Sequence, residues 1–151
     1  LWAMPVVAET YDGVLSDIYG QHVTEADALA ALETARGGPV AEGNVGGGTG
    51  MICYEFKGGT GTASRVVTLP GHRGTLGVLV QANHGLRDWL TVLGVPVGRH
   101  LSDDRLYTQE QGSIIVILAT DLPVLPHQLR RIAKRAALGI GRGGTPGGNN
   151  S

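Results

Sequence analysis

The chain has 151 residues, 42% hydrophobic and 17% charged, with a formal net charge of −1. That composition excludes a disordered chain and suffices for the core of one domain or of part of a larger one. Near-neutrality leaves no global electrostatic reason to bind nucleic acid or an anionic membrane, and the longest apolar run falls far short of the roughly 18 residues of a spanning helix. The N-terminal "LWAMPVV" lacks the basic region of a signal peptide, so a soluble protein, cytoplasmic or periplasmic, is expected. The start at Leu1 rather than Met, and the end within "GGTPGGNNS", suggest that both ends are cut from a longer protein.

Thr24, with Asp27 three residues on, opens a capping-box pattern. Leu29, Leu32 and Ala35 continue it as a short amphipathic helix that stops at Gly37-Gly38. Glycine, at 25 residues, far exceeds the roughly 7% of average usage. It concentrates in 37–50 and 57–62, on either side of "MICYEF", which reads as a strand. The repeated "GGTG" at 47–50 and 58–61 reads as two tight turns, with glycines for positive φ and close backbone packing. Neither stretch is followed by Gly-Lys-Ser/Thr or fits G-x-G-x-x-G, so nucleotide binding is unsupported. Cys53, alone in its chain and set in an apolar stretch, reads as a small buried hydrophobe.

Strands are predicted at "SRVVTL" (64–69) and "TLGVLVQAN" (75–83), joined by the turn "PGHRG", with a short helix at "GLRDWLTVLG" (85–94). A further strand, "SIIVILATD" (113–121), is followed by a helix that Pro126 opens. Leu129, Ile132, Ala133, Ala136 and Ile140 share one face of it; Arg130, Arg131, Lys134 and Arg135 form a solvated basic face without assigned chemistry.

Most catalytic constellations are absent. None of Ser16, Ser64, Ser102, Ser113 or Ser151 lies in G-x-S-x-G. His22, His72, His84, His100 and His127 show no metal-ligand spacing and read as surface or turn histidines, so no metal or cofactor is expected. One oddity is Gly112-Ser113, a small polar pair at the mouth of an apolar strand. It is either the end of a surface loop or a bond whose scission makes Ser113 an N-terminus. In the second case the serine needs no histidine, because its own α-amine, with a reference pKa of about 8, can take the hydroxyl proton.

The segments "ARGGPVAEGNVGGGTGMICYEFKGGTGTASR", "LVQANHG", "GVPVGRHL" and "GSIIVILATDLPVLPHQLRRIAKRAALGIGR" together resemble the DmpA-type aminopeptidases, a family that includes the β-peptidyl aminopeptidases. The resemblance covers essentially the whole chain. It implies an α/β fold, an αββα sandwich of the DmpA and ornithine acetyltransferase type, similar to N-terminal-nucleophile hydrolases. It implies a precursor that cuts itself at Gly112-Ser113, with residues 1–112 the later part of an α chain and 113–151 the start of a β chain, together one incomplete domain.

By the same resemblance Ser113 is the nucleophile, Asn83 the oxyanion-hole donor, and Tyr11 a tyrosine near the nucleophile. Ser151 matches the serine of a Ser-Gly-acidic element whose carboxylate would fall two residues beyond the last one here. Taken alone, Asn83 reads as a turn former, Tyr11 as a half-buried tyrosine and Ser151 as a loop serine. The activity implied is that of a serine aminopeptidase, amidase and esterase acting on small peptides, amides or esters. It would work as a homo-oligomer of α/β pairs, without nucleic acid or membrane as partner. Two alternatives stay open. An ornithine-acetyltransferase-like acyltransferase would resemble a threonine at the cut site, which Ser113 opposes; a noncatalytic glycine-rich ligand-binding domain would stay one chain.

Overall fold

The computed structural model describes residues 6–147. Its main feature is a three-stranded antiparallel sheet in the order β3-β4-β5, formed by β3 (Gly59–Leu69), β4 (His72–Asn83) and β5 (Ser113–Thr120). Pro70-Gly71 closes the long β3-β4 hairpin, pairing Leu69 with His72 and Gly59 with Ala82. From β4 the chain takes a long excursion and returns as β5, with Leu76 opposite Thr120 and Asn83 opposite Ser113. The C-terminal end of β4 therefore meets the first residue of β5.

A minute hairpin, β1 (Ile52–Cys53) and β2 (Phe56–Lys57), sits beside that end. "MICYEF" is thus a reversal rather than one strand, because Tyr54 and Glu55 both take left-handed φ, 51° and 62°, at its two corners. Their side chains are buried, as are those of Met51 and Ile52, so the apolar core gathers here. The second "GGTG" is not a turn: 59–61 form the start of β3, and Gly58 leads into it. A Cβ on Gly58 would come within 2.5 Å of the Ala82 carbonyl oxygen, so glycine serves close strand approach there. The first copy lies in a 3-10 turn, Gly46–Gly50.

Helix α1 (Glu25–Glu33) starts as predicted, with the Thr24 N–H and hydroxyl both donating to Asp27 Oδ2 at 2.8 and 2.7 Å. The helix expected at 85–94 shrinks to a 3-10 turn, Arg87–Trp89. Beyond it Val92 and Val95 exchange backbone hydrogen bonds around a left-handed Leu93-Gly94 corner, which consumes the groups a helix would need. After β5 the single expected helix is two, α2 (Pro126–Ala133) and α3 (Ala136–Arg142), separated at Lys134-Arg135. The basic residues of α2 lie on its exposed side. None of the helices of the described residues is long and apolar enough to cross a membrane.

Little of the apolar surface is covered. The chain exposes 11368 Å², against about 7,300 Å² for a compact monomer of this mass. Ile117 on the sheet and Leu32 and Leu138 on helices stand open at 56%, 75% and 60% exposure.

What holds the irregular part together is a buried polar network. Arg87 is 5% exposed, yet its guanidinium donates to the carbonyls of Tyr54, Glu55, Leu101 and Asp103 at 2.9–3.1 Å and stacks 3.8 Å over Phe56. Glu55 Oε1 accepts the Arg87 N–H at 2.8 Å, and Oε2 accepts those of Leu106 and Tyr107 at 2.5 and 3.4 Å. Burial pushes the Glu55 carboxyl up, but the three N–H groups and the Arg87 charge outweigh it, and the net direction is down.

A carboxyl lowered on folding contributes stability that is complete above its unfolded value, about 4.5, and lost as pH falls through the folded one. Thermal melts of the full chain should therefore show a loss of Tm below about pH 4.5 that is smaller in Glu55→Gln. At about pH 7 that variant should be less stable by about 1.5–3 kcal/mol, the scale of a hydrogen bond to a charged group.

Candidate active site

The register of β4 against β5 sets Asn83 and Ser113 side by side as a cross-strand pair. Asn83 is 7% exposed, and every part of its carboxamide is engaged. Oδ1 accepts the Ile52 N–H at 2.9 Å, which orients the group so that Nδ2 faces the other way. Nδ2 donates to the Tyr11 carbonyl at 2.6 Å and to Ser113 Oγ at 3.4 Å. One strand position back on the same face, Gln81 Nε2 donates to Thr10 Oγ1. Alternate residues of β4 thereby grip the segment containing Tyr11.

Ser113 Oγ receives a second N–H, from the Tyr11 backbone at 3.0 Å. Two donors on one oxygen favour the developing alkoxide, and the hydroxyl proton stays available for transfer. Tyr11 thus reaches Ser113 through its main chain. The residue is 56% exposed, and its ring lies over Gly13, where a Cβ would meet the phenolic oxygen at 2.6 Å. Of the four residues singled out from the sequence, the structure brings together Ser113, Asn83 and Tyr11; Ser151 lies outside the described residues.

Gly112 is wedged against the end of β4. A Cβ there would fall 2.3 Å from the Asn83 carbonyl oxygen and 2.5 Å from His84 Cα, both backbone atoms that cannot swing aside. The glycine before Ser113 is therefore a packing requirement.

Beside it lies a cavity of about 40 Å³ lined by residues that include Tyr11, Asn83, His84, Tyr107, Glu110 and Gly112. That volume admits a water molecule. Glu110, which sequence reasoning passed over, spans the cavity wall: Oε1 accepts the Gly112 N–H at 2.8 Å and Oε2 the Gly85 N–H at 2.9 Å. Only its place three residues before Ser113 hinted at it, and an acid in "TQEQG" looks like any loop acid.

His84 follows β4 as the sequence suggests, but it is half-buried rather than on the surface. Its Nδ1 lies 3.1 Å from Thr145 Oγ1, which is 2.8 Å from the Tyr54 hydroxyl, and the His84 and Tyr54 rings meet edge to face at 5.2 Å. Burial pushes the imidazole down, and the charge of Glu110 opposes this only in part, which favours the neutral ring. Cys53 is half-buried, and burial pushes its thiol up, away from the thiolate a nucleophile requires. Among the described residues no group of three His, Cys, Asp or Glu side chains is arranged to hold a metal ion.

This arrangement fits a group of known proteins. At 56% identity the chain matches "Beta-peptidyl aminopeptidase BapA" of Sphingosinicella microcystinivorans, covering 99% of this chain and 42% of the relative. The protein of the same name from Sphingosinicella xenopeptidilytica is 51% identical, covering 96% and 39%. Among solved structures, the L-aminopeptidase D-Ala-esterase/amidase of Ochrobactrum anthropi, described as a variant of the Ntn hydrolase fold, superposes with a TM-score of 0.91 at 68% identity, over 100% of this chain and 41% of that one. A β-aminopeptidase of Burkholderia sp. gives 0.84 at 55% identity, over 96% and 40%. The chain thus spans about two-fifths of the length of these relatives. Its fold is a partial α/β domain of the Ntn-hydrolase type. Residues 1–151 match Peptidase family S58 as a whole, and the chain belongs to that family.

Proposed function

We propose that this chain is part of a self-cleaving serine aminopeptidase with amidase and esterase activity, in which Ser113 is the nucleophile. The observation that carries this reading is the pairing of Asn83 with Ser113, with Asn83 Nδ2 and the Tyr11 N–H both aimed at Ser113 Oγ. The names of the relatives agree with it, as aminopeptidases and an esterase/amidase. Ser113 and the absence of threonine at that position favour hydrolysis over an acetyltransferase.

In the precursor, Ser113 Oγ attacks the Gly112 carbonyl carbon. The new C–O bond replaces the Gly112–Ser113 C–N bond, and the hydroxyl proton ends on the departing nitrogen. Water then opens the ester, leaving a carboxyl group on Gly112 and returning a proton to Ser113 Oγ. Residues 1–112 become the end of one chain and 113–151 the start of the other. In the processed enzyme the freed α-amine accepts the hydroxyl proton, Oγ attacks the carbonyl of a small peptide, amide or ester, and the acyl-enzyme is resolved by water.

Asn83 Nδ2 is the donor for the oxyanion, with Tyr11 beside it; Ser151 keeps only the role that the family resemblance implies for it. Assembly as a homo-oligomer of such chain pairs is part of the same reading.

Intact mass of the full chain should show two products, the smaller beginning Ser-Ile-Ile-Val, whereas Ser113→Ala stays single; a Ser113→Ala protein cut at this bond would contradict the reading. Gly112→Ala should slow conversion by about tenfold or more, since its Cβ meets backbone that must shift. Asn83→Asp keeps the acceptor for the Ile52 N–H but turns an oxygen toward Ser113. Processed Asn83→Asp enzyme should lose about 10²–10³ in kcat on an aminoacyl p-nitroanilide. Unchanged kcat would remove Asn83 from the oxyanion hole.

A further inference from the structure

Self-cleavage poses a problem that turnover does not. Before scission the Ser113 nitrogen is an amide, so the α-amine that serves the mature enzyme does not yet exist, and the reaction depends on how the scissile peptide is held. Ser113 Oγ is fixed by Tyr11 and Asn83. The other half of the bond, Gly112, lies in the loop that leads out of the residues held by Glu55, and Gly112 has no side chain to anchor it.

Glu110 supplies that anchor. One carboxylate oxygen takes the Gly112 N–H and the other takes the Gly85 N–H, so a single side chain ties the scissile residue to the turn that follows β4. Gly85 sits at φ +91° with the Tyr54 ring 2.5 Å from where a Cβ would be, so the far end of the tie packs closely against Tyr54. The same tie presses Gly112 onto Asn83 and His84, the contact that leaves no room for a Cβ.

We propose that Glu110 is a positioning residue for scission of the Gly112–Ser113 bond: its carboxylate clamps the Gly112 N–H to the end of β4 and so presents the adjoining carbonyl to Ser113 Oγ. This rests on the self-cleavage reading above. Because Glu110 lies on the acyl side of the cut, its clamp on Gly112 acts before the two chains separate. A near-attack geometry held by charge-assisted hydrogen bonds is sensitive to their loss.

The test uses the full chain, freshly made, with conversion to two chains followed over time by intact mass. Glu110→Ala should convert at least about tenfold more slowly than the wild type, the scale of losing a hydrogen bond to a charged group. Glu110→Gln keeps an oxygen for one of the two N–H groups and should fall between them. In a Ser113→Ala background, where every protein stays single and melts are comparable, Glu110→Ala should change Tm by no more than about 3 °C.

Glu110→Ala cutting at the wild-type rate alongside a wild type that cuts would overturn this role alone. So would slow cutting that tracks a large fall in Tm of the uncleavable form and is not rescued by Gln. A wild type that never cuts would overturn both this role and the self-cleavage reading.

Discussion

The site depends on the carboxamide of Asn83. With Oδ1 on the Ile52 N–H and Nδ2 on the Tyr11 carbonyl and Ser113 Oγ, one buried side chain joins β1, the N-terminal segment, β4 and β5. Its orientation is not free: the Ile52 donor permits only an oxygen on that side, so a donor must face Ser113. The strand register does the rest, since shifting β5 by one residue would turn Ser113 to the opposite face and leave Asn83 opposite an isoleucine.

Around this point the irregular segments are joined by buried polar groups as well as by the apolar side chains of Met51, Ile52 and Tyr54. The Arg87 guanidinium satisfies four carbonyls, and Glu55 satisfies three N–H groups. Such groups are costly to bury unless fully partnered, and here they are. The consequence is mechanical. The loop carrying Leu106 and Tyr107 is held by Glu55, and from there the chain runs directly through Glu110 and Gly112 to Ser113. The hairpin corner at Tyr54-Glu55, with two left-handed residues, is the strained element that this network stabilises.

Much of this was legible in the sequence where local rules act alone. The capping box at Thr24, the Pro-Gly turn, the apolar runs of β4 and β5 and the Gly-Ser pair follow from propensity and pattern. The roles proposed for Asn83 and Tyr11 rest on family resemblance rather than on the residues themselves, because each meets Ser113 across a long separation in sequence. The errors have the same origin. "GLRDWLTVLG" has helical periodicity, but the Thr91 N–H goes to the carbonyl of Gly143, 52 residues downstream, and Val92 and Val95 bond each other, so the helical ladder is not formed. "MICYEF" reads as a strand because nothing in it announces that Tyr54 and Glu55 will turn. Glu110 gave only the weak signal of its closeness to Ser113, since its meaning lies in the two backbone groups it bridges.

The central claim is that Ser113 acts as a nucleophile from a newly made chain terminus. The most direct measurement is to mix processed full-length enzyme with an activated aminoacyl ester, quench in acid within the first turnover, and map the acyl adduct by peptide mass spectrometry. The account predicts a single acyl group, carried by the first residue of the chain that begins Ser-Ile-Ile-Val. An adduct on any other residue, or on a chain still joined at Gly112-Ser113, would contradict it.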